Sequence, residues 1–173
     1  MTLETLFSAD EIASRIRELA EEVRRSGPAG RLVVVVVLRG AFVFAADLVR
    51  ALWPLDLVVD FVALTSYEGT ESSGRVRLVS DLREDVAGAH VLVVEDICDT
   101  GLTLAFLVEA LRARGPASVR TCVMLDKPSR RQVDFRTDFT GFTIPDRFVV
   151  GFGLDLDGRF RHLPEIAVVH ASS

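Results

Sequence analysis

Lysine is almost absent from this chain. Of its 20 basic residues only Lys127 is a lysine, asparagine does not occur, and glutamine and tyrosine occur once each, at Gln132 and Tyr67. Scarce amide side chains are typical of a hot habitat or a GC-rich genome. Because lysine and arginine differ in donor geometry and hydration, a single lysine in such a composition indicates a task that arginine cannot perform.

Cysteine is also rare, with only Cys98 and Cys122. Two thiols are too few for a disulfide framework, and they make no metal-ligand spacing with the three histidines. No apolar run approaches the ~20 residues of a membrane span, and residues 1–11 lack the pattern of a signal peptide. We therefore expect a protein of the reducing cytoplasm with no membrane partner.

The charge balance is acidic, with a formal net charge of -5 and a pI near 5.2. Nucleic-acid binding relies on lysine and arginine to neutralise phosphates, so nucleic acid is not expected as a partner. A length of 173 residues with 49% hydrophobic residues predicts one globular domain over residues 1–173.

Apolar strand patterns alternate with helical ones along the chain. Helices are predicted at about 8–25, 41–53 and 102–114, and strands at 32–38, 57–64, 91–94, 120–125, 147–150 and 166–169. This order predicts an α/β fold with a largely parallel central sheet flanked by helices. Ligands of such sheets bind beyond the carboxyl ends of the strands, which here are residues 38–40, 95–103, 126–127 and 151–155.

The segment VLVVEDICDTGLT, residues 91–103, carries the clearest chemical signal. A strand pattern ends at Glu95 and Asp96, and the following turn leads from Asp99 into a helix. Backbone N–H groups at such a turn can hold a phosphate, and the carboxylates suit ribose hydroxyls or a divalent cation. The pattern predicts a sugar-phosphate site. It also leaves open that Asp99 is only a helix N-cap and that the two acids are solvated loop residues.

Several other catalytic signatures are missing. The sequence has no G-x-x-x-x-G-K-[ST], no G-x-G-x-x-G after a strand, no H-E-x-x-H and no G-x-S-x-G. Nucleoside triphosphatases, dinucleotide enzymes, zinc hydrolases and serine hydrolases are therefore disfavoured.

Two further strand ends bear chemical groups. Lys127 could donate to a carbonyl oxygen of a planar ligand, or it could be an ordinary solvated lysine. Residues 38–41 form a possible anion-binding turn with Arg39 as the cation.

Weaker signals come from the C-terminal half. Phe148 lies in a pattern more typical of core than of a site. Asp155, Asp157 and Arg161 could hold a metal or an anion, or could belong to a surface turn. Arg130 and Arg131 are expected to be solvated.

Together these segments resemble the purine phosphoribosyltransferases of the bacterial hypoxanthine-guanine type. Residues 95–103 are similar to that family's phosphoribosyl pyrophosphate motif, 38–42 to its pyrophosphate loop, and 66–67 with 72–74 to its flexible loop. Residues 125–128 and 141–151 are similar to its purine-site segments. The resemblance follows the chain in order over nearly its whole length. Arg39 stands where many members carry lysine, and Leu102 adds no charge to the phosphate turn.

The resemblance implies a type I phosphoribosyltransferase fold with a small hood at about 147–173 and a flexible loop at about 65–75. The implied reaction is transfer of the 5-phosphoribosyl group from phosphoribosyl pyrophosphate to hypoxanthine or guanine, with Mg²⁺ as cofactor. Small molecules are then the partners, and a homodimer or homotetramer is expected.

The resemblance also assigns roles to residues. Asp99 is the implied catalytic acid or base at purine N7. The groups that bind phosphoribosyl pyrophosphate are Glu95, Asp96, Asp99, Thr100, Gly101, Leu102 and Thr103. The purine is bound by Lys127, Phe148 and Val149; the pyrophosphate by Leu38, Arg39, Gly40 and Arg161; and the metal by Asp155, Glu95 and Asp96. Ser66 and Tyr67 belong to the flexible loop.

Three alternatives remain open on the sequence. A transferase for another base, xanthine or adenine, would share the fold, although Lys127 argues against adenine because an ammonium would face its amino group. A regulator of the same fold could bind nucleic acid and sense nucleotides. A receiver-like signalling domain would explain the clustered acids but not the Arg39 or Phe148 segments.

Overall fold

A computed structural model describes residues 1–27, 30–66 and 76–170 of the chain. Most of the predicted flexible loop, including Tyr67, and the last three residues of the predicted hood lie outside the described residues.

Helices and strands alternate as predicted over residues 2–66, after which one further α-helix lies among the strands of the described residues. The elements are β1 Thr2–Phe7, α1 Ala9–Arg25, β2 Leu32–Leu38, α2 Phe42–Ala51, β3 Leu57–Ser66, β4 Val76–Ser80, β5 His90–Cys98, α3 Leu102–Arg112, β6 Ser118–Asp126, β7 Phe139–Thr143, β8 Val149–Val150 and β9 Ile166–His170. The main sheet has the order β4-β3-β2-β5-β6-β7 and is parallel apart from the antiparallel edge strand β4. A second, antiparallel sheet has the order β1-β9-β8.

Strand β2 shows why this sheet is covered on both faces. Its sequence LVVVVVL is buried at six of seven positions. Val34 and Val36 pack in one apolar cluster with residues of α1 and α2, whereas Val33 and Val35 pack on the opposite face with residues of α3. Because side chains alternate between the faces of a strand, a continuous valine run is stable only where helices cover both faces.

Helix α1 begins as its sequence predicts. The Ser8 side chain accepts a hydrogen bond from the Glu11 backbone, and the Glu11 carboxylate accepts one from Ser8 N at 2.8 Å. This capping box satisfies N–H groups that the first helical turn leaves free.

Three strands were missed by the prediction: β1, β4 and β7. None of them is a continuous buried apolar run, since β1 and β4 are largely exposed and β7 is half-buried around Gly141. Pairing with a neighbouring strand, rather than local hydrophobicity, makes these segments extended.

The two C-terminal strands lie in the second sheet. The strand pattern alone counted residues 151–155 among the strand ends of the central sheet, whereas the family resemblance implied a hood at about 147–173; in the structure β9 pairs with both β8 and β1 outside the central sheet. We call the antiparallel sheet β1-β9-β8 the hood sheet; it includes the N-terminal strand. The end of β7 lies at the carboxyl edge of the main sheet, and residues 151–155 approach that edge from the hood.

Within the described residues, no helix is both long and apolar enough to cross a lipid bilayer.

Candidate active site

The acidic pair Glu95 and Asp96 lies inside strand β5, which runs through Cys98 rather than ending at residue 94 as predicted. Pairing between β2 and β5 stops at Val36 and Val94, while pairing between β5 and β6 continues to Cys98. The carboxylates therefore lie where β2 no longer pairs with β5, although β2 stays paired with β3 through Leu38. Glu95 is only 8% exposed, so the interpretation of solvated loop residues is wrong.

Burial controls the ionisation of this pair. It raises the pKa of Glu95 well above its ordinary value, and the adjacent charge of Asp96 raises it further. Burial also raises the pKa of Asp96, although hydrogen bonds and the nearby Arg161 oppose this effect. Two neighbouring carboxylates that resist ionisation will take up a proton, a cation or hydroxyl donors readily.

Two glycines allow the loops around Asp96 to approach each other closely. A Cβ atom on Gly40 would lie 1.6 Å from Asp96 Oδ2, and one on Gly153 would lie 2.1 Å from the Gly40 carbonyl oxygen. Gly153 also has a φ of +99°, which side-chain-bearing residues rarely adopt. The loop after β2 is therefore packed between Asp96 and the hood.

Arg161 connects this hood loop to the acids. Its NH1 donates to the Gly153 carbonyl at 2.6 Å, and its NH2 lies 2.6 Å from Asp155 Oδ1. The Asp155 carboxylate also accepts from Gly158 N at 2.7 Å. The structure thus brings Arg161 and Asp155 to the side of the site where Gly40 and Asp96 meet.

The turn between β5 and α3 has a glycine at its centre. Gly101 is the N-cap of α3 and has a φ of +83°, so the alternative that Asp99 caps the helix is wrong. The Thr100 hydroxyl accepts from Leu102 N at 3.3 Å. A helix N-terminus preceded by a small-residue turn can hold an anion with backbone N–H groups.

Lys127 is buried rather than solvated. It is 7% exposed, and its backbone N–H donates to the Cys98 carbonyl at 2.9 Å. Its Nζ lies 3.8 Å from Asp146 Oδ1. The Lys127 backbone is therefore held against the turn that carries Asp99, and its ammonium faces Asp146.

Phe148 and Val149 differ in exposure. Phe148 is 53% exposed, which a core residue would not be, and its ring is free to contact a ligand. Val149 is buried and pairs with Val168 in the hood sheet.

The sequence prediction missed two arginines. Arg130 Nε lies 3.2 Å from Asp99 Oδ1, and its NH1 lies 3.5 Å from Asp146 Oδ2. Arg131 is only 15% exposed and pairs with Asp126. Their place in the sequence could have indicated this, because Pro128 turns the chain back toward the strand ends immediately after Lys127.

The predicted site residues are not all described. Ser66 ends β3, and Tyr67 lies outside the described residues. Over the described ranges, no three or more acidic, histidine or cysteine side chains converge on one point as a complete metal site would.

The phosphoribosyl transferase domain family matches residues 2–157 of the chain. The hypoxanthine-guanine phosphoribosyltransferase of Aquifex aeolicus (strain VF5) is 45% identical over 169 residues, which are 96% of this chain and 94% of the relative. The chain belongs to the hypoxanthine-guanine phosphoribosyltransferase family. The family predicted from the sequence is therefore confirmed. The prediction that the protein is an enzyme of the pentosyltransferase class is confirmed as well.

Solved structures of this family have the same fold. A hypoxanthine-guanine phosphoribosyltransferase of Bacillus anthracis, solved with a HEPES molecule in its active site, has a TM-score of 0.92 and 42% identity, covering 96% of this chain and 98% of that one. A Trypanosoma cruzi hypoxanthine phosphoribosyl transferase, studied for the role of its C-terminal region in oligomeric state and activity, has a TM-score of 0.91 and 40% identity, covering 96% and 91%. The type I phosphoribosyltransferase fold is confirmed.

Proposed function

We propose that this enzyme transfers the 5-phosphoribosyl group of phosphoribosyl pyrophosphate to hypoxanthine or guanine, giving IMP or GMP and pyrophosphate in purine salvage. The observation that carries the proposal is the buried, ammonium-bearing side chain of Lys127, a residue whose backbone N–H donates to the Cys98 carbonyl just before Asp99. Such an ammonium selects a carbonyl oxygen over an amino group, since it can only donate. The names of the relatives reported above support the same substrates.

On the purine side, the Lys127 ammonium donates to O6 of the base. The exposed ring of Phe148 stacks on the purine, and the backbone of Val149 contacts the far edge. Asp99 faces N7 as general acid or base. A positioned carboxylate that exchanges a proton with the reacting base lowers the barrier of the chemical step.

On the ribose side, Glu95 and Asp96 bind the hydroxyls, and the turn of residues 99–103 binds the 5-phosphate. Leu102 has no polar side chain, so phosphate binding relies on backbone N–H groups at the helix N-terminus and on the hydroxyls of Thr100 and Thr103. The raised pKa values of the acidic pair favour this role, because hydroxyl donors and cations relieve the cost of burying the carboxylates.

The leaving pyrophosphate is bound by residues 38–40 and by Arg161. Charge builds up on this group as the ribosyl bond breaks, so cations placed around it stabilise the transition state. Arg39 is exposed at the end of β2 and is available to a ligand.

The carboxylates also suit Mg²⁺ as the cofactor. Proteins commonly bind this ion through one or two carboxylates, and water and substrate phosphates fill its remaining coordination positions. Such a site does not require three or more protein ligands at one point, and none converge in the described residues. Asp155, Glu95 and Asp96 would hold it. Bound there, Mg²⁺ neutralises phosphate charge.

We assign closure over the site to Ser66, which ends β3, and to Tyr67, which lies outside the described residues. A loop that excludes water protects the ribosyl centre from hydrolysis.

We also infer a homodimer or homotetramer and a single domain in the cytoplasm. Exposed aromatic side chains at the two ends of α2 support an assembly, since exposed apolar surface often marks a protein–protein contact. Phe42 begins the helix and is 46% exposed, and Trp53 follows it and is 79% exposed. Analytical ultracentrifugation would measure the assembly, and a monomer at micromolar concentration would refute it.

Two observations support a single domain in the cytoplasm. One apolar cluster joins residues of both sheets, which supports a single domain. The free cysteines Cys98 and Cys122 fit a reducing compartment.

A turnover assay tests the proposed function. The enzyme is incubated with phosphoribosyl pyrophosphate, Mg²⁺ and, separately, hypoxanthine, guanine, xanthine, adenine or uracil, and nucleotide is measured. We expect IMP and GMP and little AMP. If no base gives a nucleotide while RNA is bound tightly, the nucleic-acid-binding regulator replaces the enzyme; nothing in the reported relatives supports that alternative.

A further inference from the structure

Arg131 makes an unusually complete set of hydrogen bonds. Its Nε donates to the Phe135 carbonyl at 3.1 Å, and its NH1 donates to the carbonyls of Cys98 at 3.1 Å and Asp99 at 2.5 Å. Its NH2 donates to the carboxylate of Asp126, with which it forms an ion pair. All three guanidinium nitrogens are therefore engaged, in a side chain that is only 15% exposed.

These acceptors belong to two different parts of the site. The carbonyls of Cys98 and Asp99 lie where β5 ends and the phosphate turn begins, whereas Asp126 ends β6 immediately before Lys127. The planar guanidinium thus spans the gap between the strand that carries the proposed general base and the strand that carries the O6 donor. Arginine presents several donors in one rigid plane, so it can fix the relative position of both strand ends.

Two backbone hydrogen bonds near Arg131 join the same two segments of the chain. Lys127 N donates to the Cys98 carbonyl at 2.9 Å, and Gln132 N donates to the Thr100 carbonyl at 2.9 Å. The Arg131 Cδ atom also lies 2.8 Å from where a Cβ on Gly101 would stand. The segment after Lys127 is therefore packed directly on the turn of residues 98–101, and Arg131 is its most extensively bonded side chain.

We propose that Arg131 is a positioning residue for the transfer reaction, which holds the Asp99 carboxylate in register with Lys127 so that N7 and O6 of one purine meet their partners together. The inference rests on the proposed roles of Asp99 and Lys127. Arg131 touches backbone and Asp126 but takes no part in proton transfer. Its loss displaces Asp99, and catalysis is sensitive to such displacement because a misplacement of about 1 Å can cost ~100-fold in rate.

Arg15 provides a matched control. It is 21% exposed, its Nε and NH2 donate to the carbonyls of Gly141 at 2.9 Å and Thr140 at 2.7 Å, and its NH1 pairs with Glu18 and Glu22. Arg15 therefore joins α1 to β7 with the same kind of bonding but touches neither Asp99 nor Lys127. Arg15→Lys tests what the loss of such a guanidinium costs in stability alone.

The deciding experiment is a double-mutant cycle between Arg131→Lys and Asp99→Asn, with kcat measured at saturating substrates. Lysine keeps the charge but cannot reach all four acceptors, so we expect Arg131→Lys to lower kcat by about 10-fold or more in the wild-type background. In the Asp99→Asn background the same change should lower kcat by less than about twofold, because the group it positions has already been removed. Arg15→Lys should lower the melting temperature and leave kcat within about twofold in both backgrounds.

Amide hydrogen exchange gives an independent readout. In Arg131→Lys, the amides of Lys127 and Gln132 should exchange faster than in the wild type, while Arg15→Lys should leave them unchanged. This measurement reports on the contact between the two segments even if the wild type turned over no purine, in which case the proposed function alone would fail.

Two results would overturn the inference: an unchanged kcat in Arg131→Lys, or the same loss of kcat with and without Asp99. If Arg131→Lys does not fold, Asp126→Asn replaces it, since it weakens the ion pair and keeps the arginine. We then expect a smaller loss of kcat with the same dependence on Asp99, and a loss independent of Asp99 would reject the positioning role.

Discussion

The carboxylate of Asp96 occupies the space into which any side chain on Gly40 would project. A Cβ on Gly40 would lie 1.6 Å from Asp96 Oδ2 and 2.6 Å from its Cγ, far inside van der Waals contact. The loop after β2 and the acidic pair in β5 can therefore be adjacent only because position 40 has no side chain. This contact joins the proposed pyrophosphate and ribose subsites.

Gly40→Ala is expected to disable the enzyme. The methyl group must push away either the buried Asp96 or the loop that carries Arg39, and overpacking of this kind costs about 1–3 kcal/mol. We expect kcat/KM for phosphoribosyl pyrophosphate to fall by ~100-fold, since the subsites lose their relative position. Gly88→Ala is the control: it is strained by a φ of +69° but meets no atom within 4 Å, so it should lower stability and leave the kinetics intact. Wild-type kinetics in Gly40→Ala would contradict the close packing.

Asp99→Asn tests the proposed general acid or base. The amide keeps the size of the side chain but cannot exchange the proton, so kcat should fall by ~100-fold or more while substrate affinity changes little. Single-turnover kinetics and calorimetric binding of the nucleotide product would separate the two effects. Asp134→Asn removes the same charge from an exposed position and should have no effect. Undiminished turnover in Asp99→Asn would remove Asp99 from this role.

Lys127→Ala tests the O6 contact. Removing the buried ammonium leaves the 6-oxo group without its donor, and kcat/KM for hypoxanthine should fall by about 100-fold. Steady-state kinetics with hypoxanthine and with adenine would show whether the ratio of their kcat/KM values falls. Arg147→Ala, which removes an exposed cation from the loop before Phe148, should leave this preference unchanged. Equal rates with hypoxanthine in Lys127→Ala and wild type would refute the contact.

The acidic pair should make the stability of the enzyme depend on pH. Burial, and then Asp96, raise the pKa of Glu95 above the 4.5 of an unperturbed Glu. A raised pKa means that the folded state binds the proton more tightly than the unfolded state, so the contribution is present below about pH 4.5 and is lost as pH rises through the folded-state value. The free energy of unfolding should therefore fall in the wild type relative to Glu95→Gln as pH rises into the neutral range, by about 1.4 kcal/mol for each unit of the shift.

Urea denaturation of both proteins at several pH values, without substrates, would measure this difference. A gap between wild type and Glu95→Gln that does not change with pH would show that Glu95 ionises normally.

Local pattern alone was sufficient for the strand β2 and the helix α1. The valine run of β2 and the capped helix α1 lie where they were predicted. A continuous apolar run indicates a strand buried on both faces, and Ser8 with Glu11 indicates the start of a helix, so neighbouring residues suffice for both predictions. Residue type and position near a strand end also singled out residues 95–103 and Lys127, although β5 continues through Cys98 instead of ending at residue 94. These signals were enough to identify the family.

Strand pairing and side-chain burial were decided only by the tertiary structure. The exposed strand β1 is extended because β9 pairs with it, across more than 150 residues of sequence. Arg130 and Arg131 look alike in sequence, yet one faces the Asp99 carboxylate and the other is buried against backbone carbonyls. The sequence determined which chemical groups this protein carries and that β2, β3, β5 and β6 form a buried sheet, because these depend on residue type and periodicity. The contact of Gly40 with Asp96, and that of Arg131 with the turn before Asp99, depend on how distant segments pack, which no local pattern encodes.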